Sequence, residues 1–341
     1  MRQQPDLSDD KLIAGLHTHY NLPIVSCRYL PIGYDLNAFV YEALTEKGVS
    51  YFVKVRDGAI SLPSLLVPCT LIEHGISNIL APLRTNTQAL WYPLDRYSVT
   101  VYPFIRGENA MVGGLSDRQW REFGATLRAI HSGGFGTLLQ GQVKAETFSL
   151  PSAQLLQSLL AWIKNASFQS QEATHLALFC NDNERLIKHL LSRAKALGQQ
   201  LQRQSFEHVL CHADIHAANI LVSEAGRIYL VDWDGPLLAP KERDLLFVIG
   251  SKIARSVEPH EEALFFQGYG SAEINLTALA YYRYERVIED IGEMGRSVFW
   301  KDDLSELAKS AEATLLRRQF VPGSMVESAI QADTNQGGPS F

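Results

Sequence analysis

The residues best suited to chemistry lie in one short stretch, Val209-Leu-Cys-His212-Ala-Asp214-Ile-His216-Ala-Ala-Asn219-Ile-Leu-Val-Ser223-Glu-Ala-Gly226-Arg227-Ile-Tyr-Leu-Val-Asp232-Trp-Asp234. Its pattern is an apolar strand, a polar loop, a short strand, a Gly turn, another apolar strand, and then acids. Asn219 follows Asp214 by five residues and Asp232 follows Asn219 by thirteen. A hairpin of 220–223 against 227–231 would return Asp232 to the 212–219 loop, so that two carboxylates and an amide converge. Phosphoryl transfer needs such a set: one carboxylate to accept or orient an attacking hydroxyl, and an Asp with an Asn to hold Mg2+, a hard cation that prefers oxygen. His212, Asp214 and Asn219 match H-R-D-x-x-x-x-N with Ala213 in place of Arg, and Asp232-Trp233-Asp234 stands where D-F-G would. A second chemistry is open to the same residues. His212-x-Asp214-x-His216 has the makings of a metal-dependent hydrolase site, although no further His cluster completes its ligand shell.

Such a site needs a scaffold on either side of it. Asp9 to Tyr20 reads as a helix with Leu12, Ile13 and Leu16 on one face. Asn37 to Thr45 and Val49 to Val55 read as strands joined by a Glu46-Lys47-Gly48 turn. In the second strand alternation puts Tyr51, Val53 and Val55 on one face and Phe52 with Lys54 on the other. Ala89 to Pro93 and Ser98 to Ile105 form a second hairpin about Leu94-Asp95-Arg96. The remainder is mainly helical. Ser116 and Gln119 make a capping box ahead of Trp120, Phe123, Leu127 and Ile130, and Gly133-Gly134 ends that helix. Ser152 to Lys164 and Glu184 to Arg203 are amphipathic, and helical patterns resume near Pro259, Leu276 and Asp303. The expected organisation is α+β: residues 1–106 as a small antiparallel-sheet lobe, 107–320 as a mainly helical lobe, and 321–341, which lack periodicity, as a frayed tail. The boundary falls near Arg106-Gly107-Glu108-Asn109.

Length and composition narrow the classes. The 341 residues suffice for two domains. With 46% hydrophobic and 20% charged residues, the chain is neither fibrous nor disordered. A formal charge of −6 argues against a broad nucleic-acid surface and is compatible with a cationic small ligand. Cys27, Cys69, Cys180 and Cys211 form no C-x-x-C pair, which disfavours zinc and suits reduced thiols in the cytoplasm. Met1 to Asp6 leads into no signal-type apolar core, and no run of 18 apolar residues predicts a membrane span.

His212-Ala-Asp214-Ile-His216-Ala-Ala-Asn219 with Val231-Asp232-Trp233-Asp234 resembles the aminoglycoside phosphotransferase (antibiotic kinase) family. The likeness extends to Ala239-Pro-Lys-Glu-Arg-Asp244-Leu and to the Tyr281–Asp290 stretch. Together with Tyr51-Phe-Val-Lys54 and Tyr102-Pro-Phe-Ile105, these look like its spectinomycin phosphotransferase branch. The resemblance implies a protein-kinase-like two-lobed fold that transfers phosphate from ATP (or GTP), with Mg2+, to a hydroxyl of an aminocyclitol. By the same resemblance Asp214 is the catalytic base, and Asn219 and Asp232 are the Mg2+ ligands. Lys54 contacts the α- and β-phosphates, Tyr102, Phe104 and Ile105 belong to the hinge against adenine, and the Pro31–Asn37 segment with Gly33 and Asn37 covers the phosphates.

Departures from the kinase pattern also carry information. The helix expected after Lys54 has no acid before Glu73, and Pro63 and Pro68 restrict it. Either Glu73 reaches back or another group orients Lys54. The missing helix acid motivates a nucleotide-binding pseudokinase as an alternative, and a metabolite alcohol such as choline or homoserine is the alternative acceptor. There is no long activation segment and no A-P-E, which argues against switching by phosphorylation. A cationic acceptor calls for acids. Glu258, Glu261 and Glu262 open one helix, where they complement its dipole. On the Leu276–Met294 helix, Tyr281, Glu285 and Asp290 are candidate acceptor contacts. The competing reading pairs Glu285 and Glu289 with Arg283 and Arg286 and gives Tyr281, Tyr282 and Tyr284 to packing.

Overall fold

The computed structural model describes residues 5–33, 37–168, 170–301 and 304–334. Met1 to Gln4, Tyr34 to Leu36 of the expected phosphate-covering segment, the helix start expected near Asp303 and residues 335–341 of the expected tail lie outside the described residues. The chain divides into two compact units: Met1–Lys144 with His212–Leu237 and Gln267–Tyr269, and Ala145–Cys211 with Leu238–Phe266 and Gly270–Phe341. The 107–144 segment and the 212–237 segment therefore stand with the N-terminal sheet.

The first unit is built on a five-stranded antiparallel sheet of order β1-β2-β3-β5-β4. Its strands are β1 (Ile24–Leu30), β2 (Ala38–Thr45), β3 (Ser50–Asp57), β4 (Tyr92–Leu94) and β5 (Tyr97–Pro103). Alternation in β3 works as the sequence predicts. Val53 and Val55 are fully buried in a core with Tyr41, Val99, Val101 and with Leu12 and Leu16 of the Asp9–Tyr20 helix. The other face of β3 is left to Phe52, Lys54 and Arg56. Register places Lys54 opposite Val40 on β2 and Thr100 on β5. The Leu62–Glu73 helix forms despite Pro68 in its interior. The backbone hydrogen bond that proline removes is offset by burial of Leu65, Val67, Cys69 and Leu71.

A second sheet in this unit, of order β10-β9-β6, carries the chemistry-bearing loop. It joins β6 (Gly107–Asn109), β9 (Ile220–Ser223) and β10 (Ile228–Leu230), while β7 (Lys144–Ala145) and β8 (Val209–Cys211) fall between β6 and β9 in the chain. Gly107 has φ 158°, and a Cβ there would lie 2.0 Å from the Val222 carbonyl oxygen, so this close strand approach requires glycine. The segment expected as the boundary between lobes is thus a strand paired with β9. The Asp117–Ser132 helix, with the predicted Ser116–Gln119 capping box, grips the hairpin from outside, Gln119 Nε2 donating to the Gly226 carbonyl at 2.9 Å. On the other edge the Leu80 N–H donates to Leu230 O at 3.2 Å and the Leu230 N–H to Asn78 O at 2.8 Å.

The second unit is helical. Its long Leu276–Trp300 helix packs against Ala153–Ile163, Glu184–Leu201, Glu306–Arg318 and Met325–Thr334. Tyr281, Tyr282, Tyr284, Val287, Ile288 and Ile291 form its buried stripe. Two elements here differ from the sequence expectation. Gln171–Asp182 is an additional helix, and the tail expected to be frayed contains the Met325–Thr334 helix. That helix buries Met325, Val326, Ala329 and Asp333, a stripe hard to see in sequence because Ala and Asp supply half of it. Arg193 Nε and Nη2 donate to the two Asp333 oxygens at 2.7 and 2.8 Å, and the Tyr284 hydroxyl donates at 3.2 Å. All four cysteines are free thiols, Cys69, Cys180 and Cys211 among them buried. Among the described residues no helix is long and apolar enough to cross a membrane.

Candidate active site

The 212–219 loop is braced from within. His212 is 1% exposed, with its ring centroid 4.4 Å from that of Trp233. Its Nδ1 accepts from the Asp214 N–H at 3.3 Å, so Nε2 carries the proton and donates to Val231 O at 2.9 Å. Both ring nitrogens are thereby committed to the backbone, which removes His212 from the metal-ligand set weighed for a hydrolase. The brace ties the start of the loop to the end of β10. His216 Nδ1 accepts from the Ala218 N–H at 3.2 Å, and its Nε2 lies 3.5 Å from Asp214 Oδ2. Asn219 Nδ2 donates to Asp214 O at 2.8 Å and to Asp214 Oδ2 at 3.3 Å. The Asp214 carboxylate is thus oriented by two neighbours, yet its side chain keeps 45% of its exposure, enough to receive a ligand.

Hairpin geometry brings the second carboxylate back, as the sequence predicts. Leu230 pairs with Ile220, and the Val231 N–H donates to Asn219 O at 3.0 Å. Asp232 follows with φ 63°, and Ala213 across the loop has φ 69°. Two non-glycine residues in the left-handed region cost on the order of 1–3 kcal/mol each, and the brace of His212, Asn219 and Trp233 holds them there. Trp233, 3% exposed, packs in the core, with Nε1 donating to Leu230 O at 3.3 Å.

Lys54 meets this loop. Its Nζ donates to Asp232 Oδ1 at 3.2 Å and to Asp234 Oδ1 and Oδ2 at 3.2 and 3.1 Å. Burial opposes the ammonium charge, but Asp232 and Asp234 outweigh it, and the Lys54 pKa is raised. Arg56, two residues along on the same face, donates to Asp234 Oδ2 at 3.0 Å. Glu73 does not reach back: it accepts from Arg84 Nη2 at 2.8 Å. Asp234 and Arg56 are the residues sequence reasoning missed as partners. The signal was present in the alternation of β3, which puts Arg56 beside Lys54. Gly33 has φ 88°, and Asn37 O accepts from the Asp57 N–H at 2.7 Å, anchoring the end of the 31–37 segment to β3. Tyr102, Phe104 and Ile105 are half-buried where β5 ends, with Tyr102 opposite Phe52. The peptide groups of Phe104 and Ile105 have no hydrogen-bond partner among the described residues.

Glu285 and Asp290 of the Leu276–Trp300 helix have internal partners. Glu285, 6% exposed, accepts from Arg243 Nη1 at 2.5 Å and from the Tyr281 hydroxyl at 3.2 Å. Burial pushes its carboxyl up to about 7, against the pull of Arg243. The pairing weighed from sequence, with Arg283 or Arg286, is not the one made: Arg283 donates to Ile249 O and Arg286 pairs with Asp290 at 2.9 Å. Tyr281 has no exposed surface. It accepts from the Leu150 N–H at 3.2 Å and packs edge-on against Phe148, so it serves as packing and not as an open wall. Asp290 also accepts from Gln319 Nε2 at 3.4 Å.

Residues 30–282 match the model of the phosphotransferase enzyme family. A spectinomycin phosphotransferase, solved with ADP and spectinomycin, superposes with a TM-score of 0.86 at 32% identity, over 96% of this chain and 99% of that one. An amicoumacin kinase (TM-score 0.61, 16% identity, 98% of this chain and 96% of that one) and a choline kinase from Streptococcus pneumoniae (0.58, 14%, 94% and 98%) share the fold. With residues 30–282 matched to the family model and 32% identity to a spectinomycin phosphotransferase over 96% of its length, the chain belongs to the phosphotransferase enzyme family, as an aminoglycoside-phosphotransferase-like enzyme that uses an alcohol group as acceptor.

Proposed function

We propose that this enzyme transfers the γ-phosphoryl group of ATP to a hydroxyl of spectinomycin or a closely related aminocyclitol, an activity that would confer antibiotic resistance. The observation that carries the acceptor assignment is 32% identity to a spectinomycin phosphotransferase across 96% of this chain. The geometry supports the chemistry independently. Asp214, aimed by Asn219 and His216 and open to solvent, takes the hydroxyl proton or orients the hydroxyl toward phosphorus. Lys54 neutralises the α- and β-phosphates. The unpartnered peptide edge of Phe104 and Ile105 receives adenine, and Gly33 and Asn37 stand at the phosphates.

The donor chemistry fits Mg2+. Asn219 spends its Nδ2 on Asp214, which leaves the amide oxygen to offer, and Asp232 gives Lys54 one carboxylate oxygen and keeps the other. Both remaining donors are hard oxygens. Bound there, the ion would supply charge neutralisation at the phosphates. The free thiols suit a reducing cytoplasm.

A coupled ADP-release assay over spectinomycin, choline, ethanolamine and homoserine, with ATP and GTP as donors, tests the reading. Turnover with spectinomycin and a phosphorylated product by mass spectrometry are expected. Turnover with choline or homoserine alone would replace the acceptor. Nucleotide binding without turnover on any acceptor would overturn the catalytic reading.

A further inference from the structure

Kinases hold the strand lysine in place with a carboxylate from the following helix. Here the one acid of the Leu62–Glu73 helix is its last residue, and Glu73 is committed to Arg84 at 2.8 Å. Lys54 nevertheless has a well-defined position. Its ammonium sits 3.2 Å from one Asp232 oxygen and within 3.2 Å of both Asp234 oxygens. Asp234 is itself held, because Arg56 donates to its Oδ2 at 3.0 Å from the same face of β3. The two acids are not equivalent. Asp232 is the residue proposed to hold Mg2+ and would share its carboxylate with a bound ion. Asp234 has a second anchor in Arg56. Strand neighbours Lys54 and Arg56 thus clamp one carboxylate, and that carboxylate in turn fixes the lysine's rotamer.

We infer that Asp234 is the positioning residue for Lys54, taking over the part that a helix carboxylate plays in other kinases, with Arg56 as its anchor. The inference rests on the phosphate-binding role of Lys54 proposed above. It also explains how a phosphotransferase dispenses with an acid in the middle of its lysine-facing helix.

The test is calorimetric and needs no turnover. ADP and adenosine are titrated into the full chain with Mg2+ and with EDTA, for wild type, Asp234→Asn, Lys54→Met, the double variant, Asp234→Glu and Glu73→Gln. Asp234→Asn is expected to weaken ADP about tenfold or more even in EDTA while sparing adenosine, which has no phosphates for Lys54 to grip. In the Lys54→Met background the same substitution should add nothing, since a residue that acts through the lysine has nothing left to position. Asp234→Glu should recover part of the loss, and Glu73→Gln should bind as wild type does. Wild-type or tighter ADP binding by Asp234→Asn in EDTA overturns the inference. So do additive losses in the double variant, as an independent metal ligand would give, and so does a loss that extends to adenosine, which would mark a general fold defect. A wild-type chain that binds neither ADP nor adenosine fails differently, because it overturns the phosphotransferase reading of Lys54 itself.

Discussion

Two cation–carboxylate clusters use the same chemistry to opposite ends. In the first unit Lys54 meets Asp232 and Asp234, whose side chains keep 49% and 43% of their exposure. In the second, Arg243 meets Glu285 at 2.5 Å with both side chains sealed, Tyr281 donating from one side and the Tyr282 ring 5.4 Å from the guanidinium. The open cluster sits on strained backbone, with Asp232 in the left-handed region. The sealed one joins two helices, with Glu285 and Tyr281 on Leu276–Trp300 and Arg243 on the short Glu242–Leu245 helix. An ion pair left half in water is worth little as a fastener but can exchange partners when a ligand arrives. An ion pair shut away from water cannot exchange cheaply, and removing one member leaves an uncompensated charge. The open cluster is therefore the one able to exchange partners, and the sealed one holds the helices of its unit together.

This contrast can be broken at either end. The largest effect belongs to the sealed cluster. Arg243→Ala should destabilise the protein by about 3–5 kcal/mol in urea unfolding above the folded pKa of Glu285, where the pair is ionised. A loss below about 1 kcal/mol would mean that the pair is not structural. Next comes Asp232→Ala, which should cost about 2–3 kcal/mol of MgADP affinity and remove its magnesium dependence, with Asn219→Ala costing less because an amide brings no charge. Unchanged metal dependence in both variants would remove them from the metal site. The smallest effect is a pH dependence. Folded Glu285 holds its proton up to about 7, whereas the unfolded chain releases it near 4.5. Between those values the folded state binds more protons, so this group's contribution is full at low pH and declines as pH rises through the window. The stability of wild type relative to Glu285→Gln should fall from pH 4.5 to pH 7. A flat difference would show that Glu285 stays ionised throughout.

What could be read from sequence follows sequence distance. Asp214, Asn219 and Asp232 are joined by one loop and one hairpin, so spacing alone brings them together. Lys54 was placed by strand alternation. The link from Lys54 to Asp234 spans 180 residues and that from Arg243 to Glu285 spans 42, and no local period encodes either. Sequence reasoning therefore offered Glu285 its nearest arginines and missed the one that folding delivers. The tail helix escaped notice for a related reason. Its buried stripe ends in Asp333, a residue that looks solvent-facing until Arg193 and Tyr284 meet it. The β6 strand was hidden because its signature is a single glycine whose missing side chain admits β9.

The central claim is that the open cluster performs phosphoryl transfer around Asp214. Its most direct test is single-turnover transfer of labelled γ-phosphate from ATP to spectinomycin by wild type and by Asp214→Asn, with MgADP affinity measured on both. The substitution keeps the shape of the side chain and removes the proton acceptor. The account predicts transfer at least about a hundredfold slower in the variant, with nucleotide affinity nearly unchanged. Transfer at the wild-type rate by Asp214→Asn would contradict it.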